Sequence, residues 1–151
     1  MYRLLMLLPF GLGVTGIIQS MLVTLSFHVV VRMIVSFQKY VKGQALFLRG
    51  LSYYNLAGYY QNPPLITDYD NYSTLETIYV PNSSYDAVLD QVESDFKDAM
   101  GMLPSRDEGG EWASGRATCG SAAGYYARTL MVRHKFTEAL TVLEDIIGKK
   151  Y

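Results

Sequence analysis

The stretch that decides the fold covers residues 42–66 and reads KGQALFLRGLSYYNLAGYYQNPPLI. Apolar or small residues recur in it at i, i+3, i+4 and i+7 spacing, which predicts a helix with one broad buried face. These residues are Leu46, Phe47, Gly50, Tyr53, Tyr54, Ala57 and Tyr60. The pair Pro63-Pro64 ends the helix, because proline lacks a backbone N–H and disfavours helical geometry in the residue before it. We therefore predict a helix near residues 43–60.

Three further helices are predicted downstream, near residues 84–103, 118–133 and 136–148. The first is strongly amphipathic; Ser83 and Asp86 form a variant of the capping box at its start, and Pro104 stops it. The polar, Gly-rich residues 105–115 are predicted to form a loop. The last two helices are separated by a short break at residues 133–135.

Those last two helices have the spacing of a tetratricopeptide-type hairpin. Ala139 takes the small position of the second helix, and Ala127, twelve residues earlier, takes the small position of the first. Small residues there let two helices approach closely. One such hairpin cannot bury its own outer face, so it must stack on neighbours. The predicted fold class is therefore all-α, built from tetratricopeptide-like helical hairpins.

Composition excludes several classes of function. The net charge of −1 argues against nucleic acid binding, which needs a clustered basic surface. A single cysteine, Cys119, allows no intrachain disulfide, and two distant histidines, His28 and His134, do not suggest a metal site. No Ser/His/Asp or Cys/His constellation indicates catalysis. We expect no enzyme activity, no catalytic residues, no metal and no cofactor.

The N-terminal segment, residues 1–37, contains only two full charges, Arg3 and Arg32, in an otherwise apolar sequence. Three interpretations compete: a signal peptide without a clear cleavage site, a transmembrane helix of sufficient length, and a soluble helix whose polar residues recur every fourth position. The apolar content favours a signal or membrane segment, slightly. We therefore divide the chain into a hydrophobic N-terminal segment (1–37) and a helical domain (38–151).

Three blocks in order resemble the SusD/RagB family of outer-membrane nutrient-binding lipoproteins. They are ALFLRGLSYYNLAGYY followed by PPLI, YDAVLDQVESDFKDAMGMLP, and the Gly-Arg-x-Thr hairpin GRATCGSAAGYYARTLMVRHKFTEALTVLEDIIGKKY. The resemblance covers about residues 40–151. Family members run to several hundred residues, so this chain is expected to be a portion of such a scaffold. It departs from the pattern in lacking a lipidated cysteine and in carrying Gln61-Asn62 where a Gly-acid pair is usual.

The resemblance implies a function. Such proteins capture oligosaccharides at the outer-membrane surface and pass them to a TonB-dependent transporter, without catalysis. By this resemblance the expected partners are that transporter and an oligosaccharide, and the protein is expected to associate with the outer membrane at the cell surface. The alternative is a helical-repeat module that binds a protein partner and that could be anchored in the membrane through its N-terminus.

Candidate sites follow from residue chemistry. Sugar rings stack on exposed aromatic rings, and Tyr69, Tyr72 and Trp112 lie in predicted loops, where they are the candidates for glycan contact. Arg49 lies within an apolar helix, and a buried charge needs a partner, for which Asp95 is the candidate. Arg116 is expected to cap or clamp the loop before its helix. Arg49, Asp95, Arg116, Ala127 and Ala139 are predicted to be structural.

Overall fold

The computed structural model describes residues 14–67, 79–110 and 114–149, with the side chains of residues 14–23 and of Lys149 left out. Five helices are present in these ranges. They are α1 (Val14–Tyr60), α2 (Tyr85–Met102), α3 (Arg106–Gly109), α4 (Cys119–Val132) and α5 (Phe136–Lys149). The described residues form no strand, only one isolated antiparallel bridge between Pro64 and Asn82. The predicted all-α fold class is confirmed.

The helix bounds follow local signals closely. α2, α4 and α5 begin and end within one residue of the predicted positions. The predicted capping box of Ser83 and Asp86 is wrong: Ser84 caps α2, and its hydroxyl accepts from the Ala87 N–H. α1 is longer than predicted: it already begins at Val14, and no proline interrupts the chain between Val14 and residue 43. α3 is one helical turn in a stretch predicted as loop. Its capping box explains it: the Ser105 hydroxyl accepts from the Glu108 N–H, and the Glu108 carboxylate accepts from the Ser105 N–H.

The chain divides into two units, with the boundary between Gln38 and Lys39, inside α1. In the first unit, the described side chains of α1 are exposed from Thr24 to Gln38. Among the described residues, none of the helices combines the length and the apolar content needed to cross a bilayer.

The core of the second unit is centred on α2. Val88, Val92, Phe96 and Ala99 on α2 are completely buried, and α2 packs on α4, which in turn packs on α5. These four residues recur at intervals of three or four, so they form the single apolar stripe that the sequence periodicity predicted.

α1 approaches α2 through its small residues. A Cβ added at Gly43 would lie 3.0 Å from the Leu103 side chain, and one added at Gly50 would lie 3.2 Å from the Phe96 ring. Between these glycines, the Phe47 ring meets the Phe96 ring edge to face, with 5.7 Å between centroids. The ring of Tyr125 stacks on Phe96 at 5.4 Å and joins α4 to the same cluster. Aromatic packing therefore connects α1, α2 and α4.

Two helices end in a left-handed residue that is not glycine. Gln61 has a φ of 62°, and its N–H donates to the Ala57 carbonyl at 3.0 Å, which closes α1 with an αL cap. His134 has a φ of 59° after α4; its N–H donates to Met131, while the Lys135 N–H donates to Leu130. That second pattern is a Schellman motif, and it turns the chain into α5.

Replacing Gln61 with glycine is expected to stabilise the protein. Glycine adopts a positive φ without the steric penalty that a side chain meets, and the gain should be about 0.5–1 kcal/mol after allowance for glycine's greater freedom in the unfolded chain. The measurement is urea unfolding. The control is Lys97→Gly at an exposed position within α2, which should instead lose about 0.5–1 kcal/mol. Equal losses for the two variants would contradict the left-handed cap.

Ala139→Leu is expected to destabilise the α4–α5 hairpin. Ala127 and Ala139 are both buried, with 0% and 1% of their surface exposed, and we predict that they face each other. The larger side chain should overpack the hairpin and lower the free energy of unfolding by about 1–3 kcal/mol, which a thermal melt would show as a lower melting temperature. Thr141→Leu, at an exposed position of α5, is the control and should cost nothing. An unchanged melting temperature for Ala139→Leu would mean that the predicted register is wrong.

Candidate binding loops and the side chains that hold them

The candidate glycan-contacting residues belong to the two long connections of the second unit. One connection joins α1 to α2 (residues 61–84) and contains Tyr69 and Tyr72; the other joins α2 to α4 (residues 103–118) and contains Trp112. All three aromatic residues lie outside the described residues. The ends of both connections are described, and they show which side chains hold each loop.

The first loop is closed at its base by backbone contacts. The Ser83 N–H donates to the Pro63 carbonyl at 3.1 Å, next to the bridge between Pro64 and Asn82. The two ends of the loop therefore leave the helical scaffold side by side.

Two side chains of α1 hold the same loop as it departs. The Tyr53 hydroxyl accepts from the Ile66 N–H at 2.7 Å and donates to the Ile66 carbonyl at 3.1 Å. One turn away along α1, Nη1 of Arg49 donates to the Thr67 carbonyl at 3.3 Å. Thr67 directly precedes the segment that carries Tyr69 and Tyr72, so α1 sets where that segment begins.

The structure pairs Arg49 with Asp95, the partner that the sequence suggested. Nε of Arg49 donates to Oδ2 of Asp95 at 2.8 Å, and Nη2 donates to Oδ1 at 2.6 Å, which is bidentate geometry. Asp95 is 1% exposed, and Gln91 donates a further hydrogen bond to Oδ1 at 2.8 Å. The hydrogen bonds to Asp95 raise the pKa of Arg49 despite the opposing effect of burial. The pair thus links α1 to α2, while Nη1 of the same guanidinium contacts the first loop at Thr67.

The second loop is held by a residue that the sequence did not single out. Nε2 of Gln44 donates to the Ala117 carbonyl at 2.6 Å, and its Oε1 accepts from the Ala117 N–H at 3.2 Å. At the base of the loop, the Cys119 N–H donates to the Pro104 carbonyl at 2.9 Å. Thr118 and Ser121 then form the capping box that starts α4. Gln44 is one of two amide side chains in residues 42–60, with Asn55, and nothing local to it in the sequence indicates a partner 73 residues away.

A polar concavity of about 700 Å³ lies on this second loop. Its lining consists of Arg106, Asp107, Gly110, Ser114, Gly115, Arg116 and Thr118. Arg116, which was predicted to clamp the loop, is exposed on this wall. Two guanidinium groups, a carboxylate and two hydroxyls can exchange hydrogen bonds with a polyhydroxylated ligand, and this is the chemistry that the described part of the loop offers.

A second ionic cluster fixes the α4–α5 turn to α2. Nη1 of Arg133 lies 2.6 Å from Glu93 and 2.6 Å from Asp90, and Nζ of Lys135 lies 2.9 Å from Glu93. Burial of Arg133 opposes its charge, but its hydrogen bonds to Asp90 and Glu93 outweigh that effect and raise its pKa. The cluster is structural. Among the described residues, no group of three or more His, Cys, Asp or Glu side chains could hold a metal ion.

The sequence model of a SusD-like family, described as "Starch-binding associating with outer membrane", matches residues 21–131. The chain belongs to this SusD-like family. The match confirms the resemblance inferred from the three blocks. It also reaches back to residue 21, into the apolar N-terminal segment that the three blocks did not cover.

Solved structures of SusD-like proteins are similar to this chain. A carbohydrate-binding protein from Bacteroides fragilis is 28% identical with a TM-score of 0.63, over 70% of this chain and 20% of its own. A laminarin-binding SusD-like protein is 29% identical with a TM-score of 0.64, over 75% and 24%. A protein of the same superfamily from Bacteroides vulgatus is 27% identical with a TM-score of 0.62, over 74% and 23%.

The chain therefore matches only about a fifth to a quarter of the length of these structures. None of the curated proteins matches it.

The ion pair between Arg49 and Asp95 yields a prediction about stability. Arg49→Met leaves the buried Asp95 carboxylate without its counter-charge and should cost about 3 kcal/mol in urea unfolding. The double variant Arg49→Met/Asp95→Leu should recover most of that loss, because an apolar pair of similar volume replaces a buried ion pair at little cost.

Arg128→Met is the matched control. Arg128 is exposed and lies 5.5 Å above the Tyr54 ring, so its loss should cost at most about 1 kcal/mol. If Arg49→Met loses no more unfolding free energy than Arg128→Met does, the ion pair does not have the importance proposed for it.

Proposed function

We propose that this chain provides the helical scaffold of an outer-membrane glycan-capture protein that works with a TonB-dependent transporter. Membership of a family described as starch-binding and outer-membrane-associated supports this proposal. Similarity to one protein described as carbohydrate-binding and another described as laminarin-binding supports the ligand class. In this proposal the protein binds its glycan without catalysis and lies at the cell surface.

The observation that carries the proposal is the anchoring of both candidate loops on α1. Tyr53 and Arg49 hold the loop that contains Tyr69 and Tyr72, and Gln44 holds the loop that contains Trp112. A sugar site needs aromatic and polar groups at fixed positions, because each weak contact contributes only if its orientation is already set. The anchors on α1 fix the described ends of the two connections, at Ile66, Thr67 and Ala117, and this supports the proposal. The polar concavity beside Arg116 adds hydrogen-bonding groups suited to hydroxyls.

A second candidate function is a protein interaction module. The α5 residues Phe136, Leu140 and Ile147 are spaced at i, i+4 and i+11, and all three are more than half exposed. Helical hairpins of repeat proteins cover such faces by stacking on a neighbour. A protein partner on this face is compatible with membership of the family.

Association with a transporter tests the proposed partnership. The tagged chain is co-expressed with any TonB-dependent transporter that its locus encodes, and the outer-membrane complex is isolated. Capture of the transporter is expected. If the locus encodes such a transporter and the two proteins do not associate, the transporter part of the proposal is wrong.

The chain by itself is expected not to bind glycans appreciably. The match covers only 24% of the laminarin-binding relative, so most of that relative's chain has no counterpart here. Isothermal titration calorimetry with laminarin and starch oligosaccharides should show no saturable heat. Trp112→Ala is titrated in parallel as the matched variant.

Clear saturable binding that Trp112→Ala abolishes would contradict this expectation. It would show that the chain carries a complete glycan site, and that Trp112 is part of it.

A further inference from the structure

A small concavity lies where the end of α1 meets the start of α2. Its volume is about 310 Å³, and the described residues that line it are Ala57, Gly58, Gln61 and Tyr85. This volume is at the lower end of the range for small-molecule sites, which is about 300–1,000 Å³. The concavity therefore has room for one small unit of a ligand. None of these four lining residues is charged, so its chemistry favours a neutral ligand.

Gly58 keeps this concavity open. It lies within α1, where glycine weakens a helix relative to residues that carry a side chain. Helix packing does not require it, because a Cβ added at Gly58 would meet no described atom within 4 Å, unlike one added at Gly43 or Gly50. A side chain at this position would instead occupy part of the concavity.

Gln61 has a strained backbone and an available side chain. Its φ of 62° lies in the left-handed region, which residues with a Cβ enter at a cost. Strain of this kind is often found at ligand-binding positions. The Gln61 side chain is exposed beside the concavity and makes no hydrogen bond to the described part of the chain. Its amide can therefore both donate to and accept from ligand hydroxyls.

Tyr85, the first residue of α2, adds an aromatic ring to the same concavity. It is 36% exposed, so part of it is held by the protein and part is open to a ligand. An aromatic ring can cover the C–H face of a sugar ring and remove it from water, while an amide binds the sugar hydroxyls. An aromatic ring, an available amide and open space thus meet in one uncharged concavity.

We propose that this concavity is a subsite for one neutral sugar unit. The sugar ring packs on Tyr85, the Gln61 amide binds its hydroxyls, and Gly58 leaves the space that the ring occupies. The choice of a sugar rests on the proposed function, but the residues assigned are not the candidate aromatic residues of the two loops. Because the subsite is small and open, its dissociation constant should be on the order of millimolar, too weak to give saturable heat in calorimetry.

An NMR titration of the full chain tests the proposal. Maltose and laminaribiose are added up to concentrations on the order of tens of millimolar, so that a millimolar site saturates. We expect saturable shifts of the backbone amide signals of Gly58, Gln61 and Tyr85. Sorbitol is the ligand control: it carries hydroxyls but no ring that could pack on Tyr85, and it should cause no saturable shift.

Gly58→Leu should weaken sugar binding at least about tenfold, because the leucine side chain fills the space that the sugar needs. Gly124→Leu is the matched control and should bind as the unchanged chain does. Gly124 is also a helical glycine with no described atom within 4 Å of an added Cβ, and it does not line the concavity. Both substitutions raise helix propensity, so both variants should remain folded.

Gln61→Gly separates binding from folding. It should weaken sugar binding severalfold while stabilising the chain, because the amide is lost and the strained φ is relieved. If Gln61 acts only as a helix cap, sugar binding will not change in this variant and the role assigned to its amide is wrong. Tyr85→Ala should lose binding, whereas Tyr85→Phe should retain it, because phenylalanine keeps the ring.

Two outcomes would overturn the subsite: no saturable shift at Gly58, Gln61 and Tyr85, or equal sugar affinities for Gly58→Leu and Gly124→Leu. Saturable shifts confined to the two loops would belong to the first outcome and would place the sugar there. Capture of the transporter without shifts at the concavity would remove only the subsite. Shifts at the concavity without capture would keep the subsite and remove the transporter part of the proposed function.

Discussion

One buried charge organises the second unit. Asp95 lies almost fully buried on α2, and its carboxylate is stable there because Arg49 from α1 binds both of its oxygens. An unpaired carboxylate at that depth would cost several kcal/mol, so α1 can dock on α2 only in a register that brings these two residues together. Gly50, the next residue along α1, lets the helix backbones approach closely enough for the bond to form.

The same register positions one end of each connection. With Arg49 fixed, Tyr53 one turn later meets Ile66, and Gln44 earlier on α1 meets Ala117. One docking event therefore places the beginning of the first connection and the end of the second. Glu93 plays the corresponding part on the other side of α2, where it holds the α4–α5 turn through Arg133 and Lys135. α1, α4 and the α4–α5 turn are thus each positioned by their contacts with α2.

The core and the surface of this unit are formed by different residues. Buried residues of α2 and α4 form the core, whereas the concavity beside Arg116 and the outer side chains of α5 lie at the surface. A family that binds different glycans can vary such loops without altering the helices beneath them, because the anchors contact loop backbone at Ile66, Thr67 and Ala117 rather than particular side chains.

The sequence by itself determined the local features. Apolar periodicity and the stop at Pro104 placed α2, α4 and α5 to within one residue, because each signal acts over a few neighbouring residues. The charge of Arg49 in an apolar helix also indicated its buried partner. Only the tertiary structure decided that Gln44 holds Ala117 and that Glu93 joins Arg133 to Lys135. These partners lie 73, 40 and 42 residues apart, and a glutamine or glutamate that will meet a distant backbone or cation looks in the sequence like any solvated polar residue. Their contacts exist only once the helices have docked, because it is the packing of the core that brings such distant groups within hydrogen-bond reach.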